Sequence, residues 1–184
     1  MAEYASNIVL KRIEFTKLIA DICLVKSHEL SGGEEKIKFV YCPDIAIGED
    51  VSIDNIRETI LNKFRDSRKI DIIKEMTHHG IQRDDWDILS QNGSLKAYGS
   101  QGQQRTAVLS LKLAEISIFE SVLGEAPIIL LDDVMSELDG NRRLAIGKVV
   151  DSNQTFFTGT DKSFFEMVSD KVKFYHISKG KLVE

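Results

Sequence analysis

Apolar positions near the start of the chain recur at helical spacing: Ile8, Ile13, Leu18, Ile19, Ile22 and Val25, with Lys11, Arg12, Lys17 and Lys26 among the polar positions between them. The pattern predicts a long amphipathic helix over residues 4–28, broken by Gly32-Gly33. KIKFVYCP then alternates polar with apolar and predicts a strand ended by Pro43. Ser52 predicts the N-cap of a second helix running to about residue 76, with Ile53, Ile56, Ile60, Leu61, Phe64, Ile70 and Ile73 as its buried set. DWDILSQNGSLKAYG predicts a hairpin turning at Asn92-Gly93.

From Gly99 the pattern changes to an α/β alternation. It predicts a helix after Arg105, the apolar strand PIILL, a helix from about Asn141, the strand TFFTG, a short helix and a last hairpin in KFYHISKGKLVE. The first of these helices carries two apolar stripes, Ala107, Leu111, Ala114 and Ile118 on one side and Leu109, Leu113 and Ile116 on another, so it is expected to be buried on most sides. No internal repeat, low-complexity stretch or sustained heptad appears.

Composition bounds the function classes. A chain of 184 residues buries one substantial core, or one core and a small appendage. Its 24 basic and 29 acidic residues leave a formal charge of -5, so nucleic-acid contact would need a local basic patch. NKFRDSRK is not one, since residues 52–75 hold six basic against five acidic side chains, the balance of a solvated helix surface. The two cysteines, Cys23 and Cys42, have no metal-like spacing and are expected to be reduced thiols of a cytoplasmic protein. The longest apolar run is far short of the ~20 residues of a membrane helix. The opening MAEYASNIVLKRIE lacks a secretory layout and reads as helix almost at once, which suggests a start inside a larger protein.

Two stretches compete as a phosphate-contacting signature. LSGGE, at residues 30–34, is close to the LSGGQ spelling of ABC-type ATPases. GSQGQQR, at residues 99–105, is a poorer match in letters. The chemistry, however, needs N–H groups at the first turn of a helix, where the dipole favours an anion. A strand follows Gly33, so Gly32-Gly33 is a helix cap and turn. A helix follows Gly102, and Ser100 supplies a hydroxyl. Further on, PIILLDDVMSELD is an apolar strand ending in two acids. Ligand chemistry gathers at the carboxyl ends of strands in α/β sheets. Asp132 there suits Mg2+, and Asp133 could orient or polarise an attacking water. Ser100 stands one helix and one turn ahead of Asp132, whereas Ser31 has two further elements between.

GSQGQQRTAVLSLKLAE followed by ILLDDVMSELD resembles the RecF family of bacterial DNA replication and repair proteins, ABC-type ATPases related to the SMC-like ATPases. THHGIQRDDWDI resembles the family's Gly-Pro-His-Arg-Asp-Asp stretch at Gly80, Arg83, Asp84 and Asp85 and departs from it at Ile81 and Gln82. HELSGGEEKIKFVY and ISKGKLVE also resemble family segments. The resemblance spans nearly the whole chain but only the C-terminal half of the family's length. It implies an α/β fold, the C-terminal lobe of an ABC-type head at residues 77–184, with a helical arm containing a small β element at residues 1–76.

The same resemblance implies that Ser100, Gln101, Gly102 and Gln103 reach a partner's ATP in a dimer. It makes Asp132 the Walker B metal residue, Asp133 the water-polarising acid, and Ser136 and Asp139 part of the D-loop. Residues 158–161 fall where related ATPases carry a switch residue, often His, which this chain lacks there. ATP and Mg2+ are the implied cofactors of the intact dimer. DNA, as a single-/double-strand junction or gapped duplex, is an implied binding partner, in gap and stalled-fork repair and the SOS response, together with RecR and RecO. No Gly-Lys-Ser/Thr occurs in the sequence, so the chain alone is expected neither to bind nor to hydrolyse ATP. The alternatives are a head fragment of an SMC-like chromosome-organising ATPase and a non-enzymatic module of ABC fold. His78-His79 is expected to be a surface or interface pair, and Trp86 to pack beneath the hairpin.

Overall fold

The computed structural model describes residues 1–135, 138–166 and 172–183. The first helix, α1, runs over Ala2–Leu30, longer than expected by a residue or two at each end. Its buried face takes in only part of the sequence pattern: Ile19 is buried and Ile13 and Ile22 are partly so. Ala2, Ala5, Ser6, Val9, Thr16, Ile19, Cys23, Ser27 and Leu30 are buried, spaced mostly by three and four, whereas Ile8, Leu18 and Val25 are exposed. Small residues let neighbouring helices approach closely, and the larger ones flank that seam. Burial also pushes the Cys23 thiol up to about 11.

Gly32 and Gly33 take positive φ angles of 65° and 94°, the left-handed region that favours glycine. The Gly33 N–H donates to the His28 carbonyl at 2.9 Å, closing the helix end. The LSGGE stretch is therefore a turn, as expected, and strand β1 follows at Lys38–Cys42. The second helix, α2, spans Ile53–Ile73 and stops short of residue 76. Ser52 occupies its N-cap, but its hydroxyl donates to Asp50 at 3.0 Å instead of capping. Only Ile56 and Ile60 of the expected apolar set are buried, with Phe64 partly so. Ile70 and Ile73 are exposed, because only the side of α2 facing α1 is covered.

Strand β2, Asp85–Ser90, pairs antiparallel with β1, and a two-residue β3, Gly93–Ser94, completes the sheet in the order β1-β2-β3. The predicted hairpin thus keeps its turn but loses its second arm, which becomes the one-turn helix α3, Leu95–Tyr98. Leu95 explains the switch: it is buried against α1 and β1 and pulls the chain off the sheet. Trp86 packs beneath the hairpin, between it and α1, where its indole N–H donates to Thr16 at 3.0 Å. The β1–β2 pairing and the packing of α1 on α4 both cross the division at residues 76 and 77.

Helix α4, Gln101–Leu123, separates two cores. Ala107 and Ala114, with Leu111 and Ile118, face Ile19 and Cys23 of α1. Leu109, Leu113 and Ile116 face Met135, Leu138 and Ile146 on the other side. The two sequence stripes are these two faces. Strand β4, Ile129–Asp132, pairs in parallel with β5, Thr155–Thr158, in the register Asp132 opposite Thr158. Helix α5, Gly140–Ser152, connects them. A one-turn helix, α6 at Ser163–Glu166, precedes the exposed hairpin of β6, His176–Ser178, and β7, Lys181–Val183. The outward side of β4 and β5 is apolar and exposed, Leu130 at 75%.

Candidate functional site

The approach to α4 is pinned before the helix begins. A Cβ on Gly99 would lie 2.6 Å from the Leu95 carbonyl oxygen, so only glycine allows the chain to pass there. The Gly99 N–H donates to that carbonyl at 3.0 Å, and the Gln104 side chain donates to it at 2.9 Å. Ser100 then takes the extended N-cap conformation. Its hydroxyl accepts the Gln103 N–H at 3.2 Å, and the Gln103 side-chain oxygen accepts the Ser100 N–H at 3.0 Å. This reciprocal capping box starts the helix at Gln101, not after Arg105 as the apolar pattern suggested, so the motif is itself the first turn.

The box engages two of the four N–H groups that lack a helical carbonyl behind them, those of Ser100 and Gln103. Those of Gln101 and Gly102 are left at the positive end of the helix dipole, on exposed residues. A Cβ at Gly102 would meet only the Ser100 hydroxyl at 3.9 Å and an Arg142 nitrogen at 4.0 Å, both ordinary contacts. Nothing inside the chain demands glycine there.

Behind this turn stands Arg142, in the first turn of α5. Its Nε donates to the Thr106 hydroxyl at 3.0 Å, and Nη2 reaches that hydroxyl and the Gly102 carbonyl, the latter at 3.4 Å. Its Nη1 pairs with Asp139, which also caps α5 by accepting the Arg142 backbone N–H at 3.0 Å. Thr106 is fully buried and donates its own proton to the Gly102 carbonyl at 2.9 Å. Glu35, from the turn after LSGGE, approaches Arg142 at 3.9 Å.

A second group forms at the end of the parallel strands. The Thr158 hydroxyl donates to the Asp132 carboxylate and accepts the Asp133 N–H at 3.1 Å. Asp133 has a φ of 50°, which a β-branched or bulky side chain would resist and an aspartate tolerates. Both acids are exposed. One Asp132 oxygen carries the threonine contact and the other is not engaged by it. A single hard carboxylate oxygen fits a Mg2+ that takes its remaining ligands from phosphates and water. Among the described residues no cluster of three metal-ligating side chains exists. His78 and His79 do not share a site, because His78 meets Asp71 at 2.9 Å and His79 meets Asp44 at 3.0 Å.

The candidate residues therefore fall into two groups: Ser100, Gln101, Gly102, Gln103 and Asp139 around the head of α4, and Asp132 and Asp133 beside Thr158. Ser136 lies outside the described residues. The sequence reading missed Arg142, Thr106 and Glu35. A partial signal existed for the first, since an arginine three positions after an N-capping aspartate is spaced to pair with it.

No family model matches the chain. The DNA replication and repair protein RecF of Streptococcus suis (strain 05ZYH33) is 40% identical over 185 residues, covering 100% of this chain and 50% of that protein. The RecF of Ruminiclostridium cellulolyticum is 38% identical over 183 residues, covering 99% and 49% respectively. The chain belongs to the RecF family, matching its C-terminal half. It spans about half the length of the curated RecF relatives it matches. A solved structure of the recombination mediator protein RecF-ATP in the RecFOR pathway superimposes with a TM-score of 0.83 at 34% identity, covering 99% of this chain and 47% of the other. The RecF-ATPrS structure gives 0.81 at 35% identity, covering 98% and 47%. The mixed helix-and-sheet fold is thus that of the RecF ATPase, as the sequence implied.

Proposed function

We propose that this chain is the signature-bearing lobe of an ATP-dependent recombination mediator in DNA replication and repair, joined to a helical arm and acting in the cytoplasm. Two copies of the intact protein close around ATP. In each, Ser100, Gln101, Gly102 and Gln103 contact a nucleotide held by the other copy. Asp132 holds Mg2+, which neutralises developing phosphate charge when bound. Asp133 polarises the attacking water with its neighbour Thr158 alongside, and Ser136 and Asp139 couple the two sites. The phosphate-binding loop comes from elsewhere in the intact protein. Closure of the dimer clamps gapped or forked DNA, with RecR and RecO as partners and the SOS response as the setting.

The observation that carries this reading is the first turn of α4. A capping box holds it rigid, its outward N–H groups lack helical partners, and its glycine has no internal steric cause. The reading of an SMC-like head is less well supported, because α1 packs along α4 and α2 instead of leaving the body. The test is Ser100→Arg in the full-length protein. ATP-driven dimerisation, followed by sedimentation, is expected to be lost while the monomer still binds ATP; dimerisation at the wild-type level overturns the assignment.

A further inference from the structure

Three segments far apart in sequence meet on one guanidinium, and the nucleotide-contact reading uses none of that meeting. Arg142 is anchored to Asp139, to the Thr106 hydroxyl and to the Gly102 carbonyl, with Glu35 at 3.9 Å. We propose that Arg142 is a positioning residue for the signature turn: through the Thr106 hydroxyl it locks Gly102 to the Asp139 loop, and through Glu35 it ties both to the end of the arm helix.

A guanidinium is a planar fork whose donors cannot move independently. Nε and Nη2 together hold the Thr106 hydroxyl, and Nη1 holds Asp139, so a shift of either partner must move the other or break charged hydrogen bonds. The Arg142 side chain is only 17% exposed, which shields these bonds from competing water. Thr106 has no exposed surface at all. Its hydroxyl accepts from Arg142 and donates to the carbonyl of Gly102, whose own N–H is one of the two outward groups. The relay therefore ends on the peptide groups that set the aim of the first turn.

Glu35 adds the arm. Its N–H donates to the Ser31 hydroxyl at 2.9 Å, and its carbonyl accepts from Ser27 at 3.1 Å, so it is fixed to the end of α1. One carboxylate oxygen, Oε2, is buried without a hydrogen-bond partner. The other oxygen, Oε1, lies 3.9 Å from the Arg142 Nη2, so the guanidinium is the charged group that faces this carboxylate. The LSGGE turn thus supports the nucleotide-contacting signature from behind.

The proposal rests on the trans-capping role given to Ser100, and its test separates the two. In the full-length protein Arg142→Gln is expected to weaken ATP-driven dimerisation by at least ~10-fold, the loss of one or two charged hydrogen bonds, without changing monomer affinity for ATP. Glu35→Gln is expected to act in the same direction, more weakly. Should Arg142→Gln fail to fold, Thr106 serves instead. Thr106→Val keeps the shape and removes the hydroxyl, and is expected to impair dimerisation; Thr106→Ser keeps the hydroxyl and is expected to dimerise normally. A packing role predicts the reverse order, because Ser leaves a void and Val does not.

Equal dimerisation by wild type and both Thr106 variants overturns the proposal, as do equal losses in the two. Normal dimerisation of Arg142→Gln overturns it as well. If Ser100→Arg dimerises normally, the trans-capping reading falls and carries this one with it. If Ser100→Arg fails to dimerise while Arg142→Gln and Thr106→Val succeed, the positioning role alone is wrong.

Discussion

Asp84 shows how one side chain gathers several elements. Its carboxylate is 2% exposed and accepts from Arg12 of α1, from the Tyr41 hydroxyl of β1 and, at 3.0 Å, from the Asp44 N–H. Arg12 also donates to the Ile81 carbonyl at 2.7 Å and lies over the Trp86 ring at 5.5 Å. Burial and the Asp84 carboxylate push the Tyr41 hydroxyl well above its ordinary range, so it stays a donor. Replacing Asp84 by alanine leaves a half-buried guanidinium with only the Ile81 carbonyl and a phenol without its acceptor. Asp84→Ala is expected to lose about 3 kcal/mol or more in urea unfolding, as when one partner of a buried ion pair is removed. The Arg-Asp-Asp stretch was legible in the sequence as a family mark, but its partners, Arg12 and Tyr41, lie some 70 and 40 positions away and nothing local signals them.

At the scale of elements, α4 was read well and α1 badly, for one reason. Each of the two α4 stripes carries leucine and isoleucine at helical spacing, so hydrophobicity marked both, the alanines of the first included. The α1 seam joins Val9, Ile19 and Leu30 to Ala2, Ala5, Ser6, Thr16, Cys23 and Ser27, and the small and polar members carry little weight in a hydrophobic pattern. Their burial follows from close helix approach, a property of the pair and not of either helix. Ala114 of α4, wholly buried opposite Ile19 and Cys23, belongs to that approach. Ala114→Leu is expected to destabilise the chain by about 2 kcal/mol through overpacking. Val108→Leu, on the exposed side of the same helix, is expected to be near neutral, and paired denaturant melts compare them. The hairpin that became β3 and α3 has the same origin, since Leu95 follows its core and not its turn.

For the whole molecule, the consequence is a division of labour. The described chain offers a helix end suited to contacting a phosphate and a strand end suited to a metal, and its sequence contains no Gly-Lys-Ser/Thr. Calorimetry on this chain alone is therefore expected to show no binding of ATP at micromolar concentration; binding there would mean that the phosphates are held by groups other than a phosphate loop. The sequence by itself determined the α/β order, the turn at Gly32-Gly33, the acids at the end of β4 and that a helix follows Ser100 whereas a strand follows Ser31, because each depends on neighbours within a few residues. Only the tertiary structure decided which α1 residues are buried, that Thr158 meets Asp132, and that Glu35, Thr106 and Asp139 converge on Arg142. Those contacts join positions tens of residues apart, whose approach is set by helix packing and strand register and leaves no periodic trace in the chain.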